Sequence, residues 1–556
     1  MTRRVAVIGA GCSGLTCVKC CLDEGLEPVC FESSDDIGGL WRFKEKPEKD
    51  RASIYSSLII NTSKEMMCFS DFPIPSHFPN YMHNSLILDY FRMYAEHFSV
   101  IKHIRFNTKV LQVKQRSDFA HSGQWDVETE NKDGKKERHI FDAVMICIGH
   151  HCNPSLPLQD FPGIDSFTGE YFHSRDYKSP EEWKNKKAVV IGIGNSGGDI
   201  AVELSRVTQQ TYLSTRRGAW ILNRVGDKGI PIDLSWNRML LAAMKILPFG
   251  FLCSLSEGHL NQRFNHKLYN LQPKHRLFSQ HPTVNDELPN RILSGTVQVK
   301  PNIRRFQGSN VEFVDGSVVE DVDLVVFATG YSYSFPFLAS HVLSVCGNKS
   351  ALYKYVFPPD LERPTLAIIG LVQPLGAIMP ISEIQARWAT RVFKGCNRLP
   401  SAAAMLKDIQ CKQDAMAKRY VTSQRHTIQV DFVSYMDEIA EQVGVQPKIK
   451  RLLLTDPRLG LKVLFGPCTP YQYRLRGPGK WVGARQAIFT QWDRIAQPMQ
   501  TRPCDEPECK RSFIRPLVLS AAALGLVTYF YRSNLSSFLQ EPSTLWDKMK
   551  VYLPAY

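Results

Sequence analysis

Two stretches of the chain share one hydrophobic pattern. Arg4-Val-Ala-Val-Ile8 is a short apolar run that enters Gly9-Ala-Gly11. It is followed by Cys12 to Gly25, with mixed polarity at helical spacing, and then by Leu26-Glu-Pro-Val-Cys-Phe-Glu32. A short apolar run bounded by turn residues reads as a buried strand, so this order predicts one strand–turn–helix–strand unit. About 180 residues later Lys187-Ala-Val-Val-Ile-Gly192 opens the same order, through Asn195–Val207 to Gln209–Arg217. Two such units predict an α/β chain with two doubly wound, Rossmann-like dinucleotide-binding domains. Asp142–Gly149 and Asp323–Gly330 are further apolar runs ending in glycine. They read as strands at the points where the chain crosses between the domains.

Elsewhere the pattern changes. From Leu234 to Leu271 bulky apolar residues mix with Trp236 and few acids, predicting a helical insertion over about 230–290. Such a segment serves as a cover over a site, as a patch dipped into a membrane, or as ordinary packing. Beyond about 450 the sequence reads as irregular, with Pro and Gly concentrated between Gly466 and Gly483. Pro516–Tyr531 is sixteen residues without a charge, between Arg515 and Arg532. That is the short limit for a spanning helix and reads as a membrane anchor or a helix embedded in one leaflet. The expected division is therefore 1–155 and 331–445 for the first domain and 156–330 for the second. An irregular region follows at 446–510, then an anchor at 511–532 and a tail at 533–556.

Composition narrows the classes. Apolar content of 44% and charged content of 22% fit packed globular domains. A net charge of +14 favours anionic partners such as nucleotide phosphates or an anionic membrane face. Nucleic acid is disfavoured, because no basic helix, zinc spacing or aromatic RNA-binding motif accompanies that charge. Fifteen cysteines, an odd number spread along the chain, argue for a reducing compartment. Cys17, Cys20 and Cys21 fall inside the first helix and read as small packing residues, and Cys504 and Cys509 lack a second pair for zinc, so no metal site is expected. Arg3-Arg4 runs straight into the first strand, so no leader peptide is expected.

The chemistry sits in the glycine turns. In Gly9-x-Gly11-x-x-Gly14 the first glycine makes the tight turn, the second admits a pyrophosphate, and the third packs helix on strand. Helix-terminal N–H groups then face the phosphates. Glu32, at the end of the second strand, is placed to accept from ribose hydroxyls, which suits a nucleotide without a 2′-phosphate, here FAD. Gly192-x-Gly194-x-x-Gly197 repeats the device, but Ser214-Thr215-Arg216-Arg217 replaces the acid. Guanidinium groups there favour a 2′-phosphate, so the second nucleotide is NADPH. Disulfide reductases share this plan but need a cysteine pair near the flavin. Gly38–Cys68 holds only Cys68, so that chemistry is disfavoured.

Phe167-x-Gly169-x-x-x-His173-x-x-x-Tyr177-Lys178, just ahead of the second unit, resembles the fingerprint of the flavin-containing monooxygenases. Asp286-Glu-Leu-Pro, Phe327-Ala-Thr-Gly-Tyr331 and Glu383 with Gln385-x-Arg387-Trp388 resemble landmarks of the same family. The likeness runs from Arg3 to the hydrophobic tail, and its wording is similar to the vertebrate microsomal branch, form 5 included. The resemblance implies that Gly9, Ala10, Gly11, Cys12, Ser13, Gly14, Glu32, Leu40, Trp41, Ile60 and Thr62 hold FAD. It implies that Gly192, Gly194, Asn195, Ser196, Gly197, Gly198, Arg216 and Arg217 hold NADPH. Asn61 corresponds to the catalytic asparagine beside the flavin ring and the nicotinamide; without the likeness it reads as an ordinary polar loop residue. His173 reads as a domain-linking residue.

The activity implied is NADPH- and O2-dependent oxygen transfer through a C4a-hydroperoxyflavin to small lipophilic substrates. These are soft nitrogen or sulfur nucleophiles, or ketones by Baeyer–Villiger insertion. Likeness to form 5 favours ketones, whereas Tyr177-Lys178, where dedicated Baeyer–Villiger enzymes carry Trp, favours the nucleophiles. The implied location is the endoplasmic reticulum membrane with the catalytic domains facing the cytosol, and homo-oligomerisation stays open. Two departures from the family are Gly229-Ile230-Pro231, where Gly-Tyr-Pro is common, and the extra residues after Arg532. The alternatives are an uncoupled NADPH oxidase releasing H2O2 and a non-catalytic nucleotide-binding protein.

Overall fold

The computed structural model describes residues 3–48, 51–421 and 427–502. Met1–Met499 form one compact unit, and of the second, Gln500–Tyr556, only residues 500–502 are described. The anchor and tail expected at 511–556 lie outside the described residues. Among those described, no helix is long and apolar enough to cross a membrane.

Two five-stranded parallel sheets are built on one plan. The first runs Leu366–Ile368, Ala143–Ile146, Arg4–Ile8, Glu27–Phe31, Ile104–Arg105. The second runs Glu170–His173, Leu324–Phe327, Lys187–Ile191, Gln210–Ser214, Val297–Lys300. In each, the strand before the glycine turn is central. Both apolar runs ending in glycine lie beside it, Ala143 opposite Val5 and Leu324 opposite Ala188. These strands are covered on both faces, which explains why they read as continuous apolar runs with no alternation.

The duplication extends further. Each sheet is followed by a three-stranded antiparallel meander that ends shortly before the strand beside the centre. The meanders are Thr108–Gln115, Trp125–Asn131 and Lys136–Phe141 in one case, and Ile303–Gln307, Asn310–Phe313 and Val318–Val319 in the other. Past Gly149 and Gly330 the two connecting strands pair with each other, Tyr331 opposite Pro154 and Ser332 opposite Asn153. The chain therefore crosses in both directions along one antiparallel ribbon.

The first glycine turn leads into the helix Cys12–Asp23, on which Cys17, Cys20 and Cys21 are buried. It packs against the helix Ile378–Phe393, buried along almost its whole length. The insertion holds two helices, Arg238–Ile246 and Phe249–Arg263, which leave Ile246, Phe249, Phe251 and Leu255 exposed.

The region 446–510 is a correction to the irregular segment expected there. It holds the helices Ile449–Thr455, Pro457–Phe465 and Ala484–Ala496. Pro457 opens the second of them at its first turn, where a missing N–H costs nothing, and the Asp456 carboxylate caps it by accepting from Leu459 N at 3.1 Å. A proline that reads as a loop signal is here a helix start. Between the second and third of these helices, the stretch 466–483 holds no α-helix.

Candidate active site

A cavity of about 1940 Å³ joins the two glycine turns. Gly9, Gly11, Cys12, Ser13, Glu32, Leu40, Trp41, Ile60, Asn61 and Thr62 line it, together with Asn195 of the second unit. The rest of the second turn (Gly192, Gly194, Ser196, Gly197, Gly198) and Arg216 and Arg217 lie outside this lining.

The glycines divide into two kinds. Gly14 and Gly197 are packing glycines, since a Cβ on either would stand 1.8 or 1.9 Å from the carbonyl oxygen of Gly9 or Gly192. Gly194, by contrast, would place a Cβ in open space, and Gly11 would meet only the Gly39 Cα at 3.6 Å. Both helices start on a glycine with no side-chain cap and no acid in the first turn. Their first N–H groups are therefore unengaged by side chains, which fits a phosphate group at each turn.

Glu32 is buried just past the second strand. Its Oε2 accepts from Ala10 N at 2.8 Å; its Oε1 accepts from Ser34 N and Oγ at 2.8 Å and from Arg51 Nη1 at 2.7 Å. Burial alone would push this carboxyl up, but the Arg51 guanidinium and the two backbone N–H groups outweigh it and hold the carboxyl below its usual range. Sequence reading missed Arg51, because nothing local marks an arginine nineteen residues downstream as the partner.

Asn61 follows the buried Ile60 on the cavity wall. Its Oδ1 accepts from Arg224 Nη2 at 2.7 Å. Arg224 also donates through Nε to Ile60 O at 3.2 Å, and Asp286 holds it by accepting from its backbone N at 3.0 Å and from Nη1 at 3.2 Å. The amide is thus fixed by a residue of the second nucleotide unit. One signal for this existed in the sequence, the Asp286 landmark, but its convergence with Arg224 on Asn61 was not legible.

Asp233 lines the same cavity and was also missed. Its Oδ2 accepts from Ser63 N at 2.7 Å, two residues beyond Asn61, while its buried Oδ1 has no hydrogen-bond partner among the described residues. Burial pushes this carboxyl up to about 6, against the opposing pull of Ser63.

In the second unit Asn195 Oδ1 accepts from Val284 N at 2.8 Å, and Gly198 packs on Thr283. Arg216 and Arg217 are exposed, with no hydrogen bond or ion pair to a described residue. Their donors remain available for a phosphate. The fingerprint ties this unit to the segment that leads to Asn61. His173 Nε2 lies 2.9 Å from Gly330 O, and Lys178 Nζ donates to Ser53 Oγ at 2.5 Å and Ile54 O at 3.0 Å.

The first glycine turn on a cavity that the second reaches through Asn195, with Glu32 at one site and Arg216 and Arg217 at the other, suits a flavin-dependent oxidoreductase with a nicotinamide cosubstrate. The comparisons give the family. A family model described as "Flavin-binding monooxygenase-like" matches residues 2–532. "Flavin-containing monooxygenase 5" of Homo sapiens is 60% identical over 95% of this chain and 99% of its own. "Dimethylaniline monooxygenase [N-oxide-forming] 2" of Rattus norvegicus is 52% identical over 95% and 99%. Among solved structures, S-allyl-L-cysteine S-oxygenase from Allium sativum superposes with a TM-score of 0.62 at 24% identity, covering 89% of this chain and 99% of that one. A cyclohexanone-bound cyclohexanone monooxygenase gives 0.57 at 16%, covering 79% and 98%; both structures speak for the fold. The chain belongs to the flavin-containing monooxygenase family. It is an FAD-dependent monooxygenase that uses NADPH and O2.

Proposed function

We propose that the enzyme transfers one oxygen atom from a C4a-hydroperoxyflavin to small lipophilic substrates, soft nitrogen or sulfur nucleophiles or ketones. The supporting observation is the Asn61 amide, held by Arg224, which Asp286 positions in turn, on the wall of the cavity that runs between the two glycine turns. FAD, when bound, supplies the oxygen chemistry; the chain supplies position and shelter from water. The N–H groups opening the helix Cys12–Asp23 and the Glu32 carboxylate hold FAD, and those opening Asn195–Leu204 hold NADPH with Arg216 and Arg217. With its Oδ1 occupied by Arg224, Asn61 keeps its amide N–H groups for the flavin edge and the nicotinamide. Leu240, Leu241, Met244, Leu247, Phe249 and Leu252 line the outer cavity and suit an apolar substrate. A relative named for N-oxide formation on dimethylaniline supports the nitrogen branch.

The exposed Ile246, Phe249, Phe251 and Leu255 support a membrane-facing insertion. The proposed location is the endoplasmic reticulum membrane with this unit on the cytosolic side.

The test follows NADPH consumption, H2O2 release and oxygenated product together, with stopped-flow spectra of the reduced enzyme mixed with O2. Product matching NADPH, and a long-lived oxygenated flavin absorbance, are expected. Peroxide equal to NADPH with no product overturns the reading in favour of an oxidase, and a colourless purified protein overturns it in favour of a non-catalytic binder. Asn61→Ala is expected to shorten the lifetime of that absorbance with FAD still bound; an unchanged lifetime removes its assigned role.

A further inference from the structure

The segment that carries Asn61 starts in one apolar core and ends in the other. Tyr55 is buried in the core of the second nucleotide unit, its ring centroid 6.1 Å from that of Tyr177 in the fingerprint, and Leu58 packs on the same core. Ile60 belongs to the core of the first unit. Asn61 therefore stands just past a crossing between the two units, and its place depends on where Tyr55 is held.

Tyr55 ends on a carboxylate of the second nucleotide helix. Its Oη donates at 2.6 Å to Oδ2 of Asp199, which lies in the first half of Asn195–Leu204. The other oxygen, Asp199 Oδ1, accepts from Asn285 Nδ2 at 2.7 Å. Asn285 is buried and its orientation is fixed, because its Oδ1 accepts from Glu287 N at 3.0 Å and Leu288 N at 2.7 Å. It precedes Asp286, which holds Arg224 on Asn61. One carboxylate thus meets both supports of Asn61. It reaches the backbone that leads there through Tyr55, and the guanidinium that holds the amide through Asn285 and Asp286.

The Arg224 charge acts on this carboxylate as well. Burial pushes the Asp199 carboxyl up, while Tyr55, Arg224 and Asn285 pull it back and Asp286 adds to the rise. The same helix also holds the start of the 283–286 segment. Asn195 Oδ1 accepts from Val284 N at 2.8 Å, and Thr283 Oγ1 donates to Ile193 O. The second glycine turn and the residues that set Asn61 are therefore joined by an unbroken run of hydrogen bonds.

On the role proposed above for Asn61, we infer that Asp199 and Tyr55 are its positioning residues, through which the helix bearing the second glycine turn sets where the amide stands. A carboxylate suits this place because it accepts with both oxygens. An amide at position 199 would turn N–H groups toward one of the two donors. Asn285 cannot turn over to meet it without losing Glu287 N and Leu288 N.

The test takes the FAD-loaded full chain and follows the lifetime of the oxygenated flavin absorbance after NADPH reduction and mixing with O2. Crystals of wild type and variants with FAD and NADP⁺ accompany it. Tyr55→Phe removes one hydroxyl from a packed ring and is expected to keep FAD while shortening that lifetime about tenfold, the scale of one lost hydrogen bond to a charged group. Asp199→Asn is expected to shorten it at least as much. Added to Asn61→Ala, Tyr55→Phe is expected to shorten it no further, whereas an independent structural role would make the two losses add. Tyr333→Phe loses a buried tyrosine bond to Asn348 O at 2.8 Å outside this run and keeps the wild-type lifetime. In the Tyr55→Phe crystals Asn61 Oδ1 is expected to have moved off Arg224 Nη2. Asn61 unmoved there, or additive losses in the double variant, overturns the inference. A wild type with no long-lived absorbance fails the oxygen-transfer reading instead, and the crystals then decide this one. Tyr55→Phe carries the test alone if Asp199→Asn fails to fold.

Discussion

The two nucleotide units share a strand order, a glycine turn and a following meander, yet they meet a ligand differently. In the first, Glu32 is buried and held by Arg51, Ala10 and Ser34, and Gly9, Gly11, Cys12 and Ser13 of the turn line the cavity. In the second, only Asn195 of the turn reaches that cavity, and Arg216 and Arg217 stand exposed with their donors unused. One frame thus gives a closed cradle, suited to a resident cofactor, and an open one, suited to a cosubstrate that comes and goes. The loops and side chains at the end of the second strand make that difference.

The largest expected break in the comparison is Gly14→Ala against Gly194→Ala. A Cβ at position 14 would meet a backbone oxygen at 1.8 Å, which cannot move without unseating the turn. Overpacking of this kind costs roughly 1–3 kcal/mol or more, and Gly14→Ala is expected to lose bound FAD along with it. Gly194→Ala has open space around it, so FAD content and melting temperature should hold while KM for NADPH rises. Flavin absorbance after gel filtration, with NADPH kinetics, checks both.

Next in size is the pair Arg216→Ala and Arg217→Ala. Charge-assisted hydrogen bonds are worth about 1.5–3 kcal/mol, so the double variant should lose roughly 10–100-fold of its preference for NADPH over NADH. Its melting temperature should not change, because neither side chain supports the fold. The readout is the ratio of kcat/KM for the two nucleotides.

The smallest effect sets one carboxylate against another. Glu32 has a lowered folded pKa, so its stabilisation is present above the ordinary carboxylate range and is lost as pH falls through the folded value. Asp233 is raised from 3.8 to about 6, so the native state holds its proton more tightly than the unfolded chain. Its contribution therefore falls as pH rises from about 4 to about 6, by on the order of 2 kcal/mol. Glu32→Gln should flatten the acid limb of a stability profile, and Asp233→Asn should remove the loss between pH 4 and 6. Melting the two variants and wild type across that range measures both slopes; parallel profiles would refute the assignment.

The legible parts of the molecule were those written in neighbouring residues. The strand–glycine–helix runs at Val5 and Ala188 declare themselves because burial on both faces demands an apolar run and the turn demands glycine. Glu32 and Arg216 were readable for the same reason, since each ends a strand whose start was known. Arg224 and Asp233 were not, because each acts on the Asn61 segment from more than 150 positions away and neither belongs to a local pattern. Position 457 misled because proline marks a loop and a helix start alike, and only the Asp456 cap separates them.

The order in which the pieces come together on the ribosome follows from the strand lists. Every strand of the second sheet lies between Glu170 and Phe327, a continuous stretch able to close as soon as it emerges. The first sheet is begun at Arg4 but takes its outer strand from Leu366–Ile368 and its covering helix from Ile378–Phe393. The Asn61 segment waits longer still, since Arg494 pairs with Glu65 at 2.9 Å and Asn80 donates to Ile495 O. The half translated first is completed last, and until then its apolar strands need shelter from other chains.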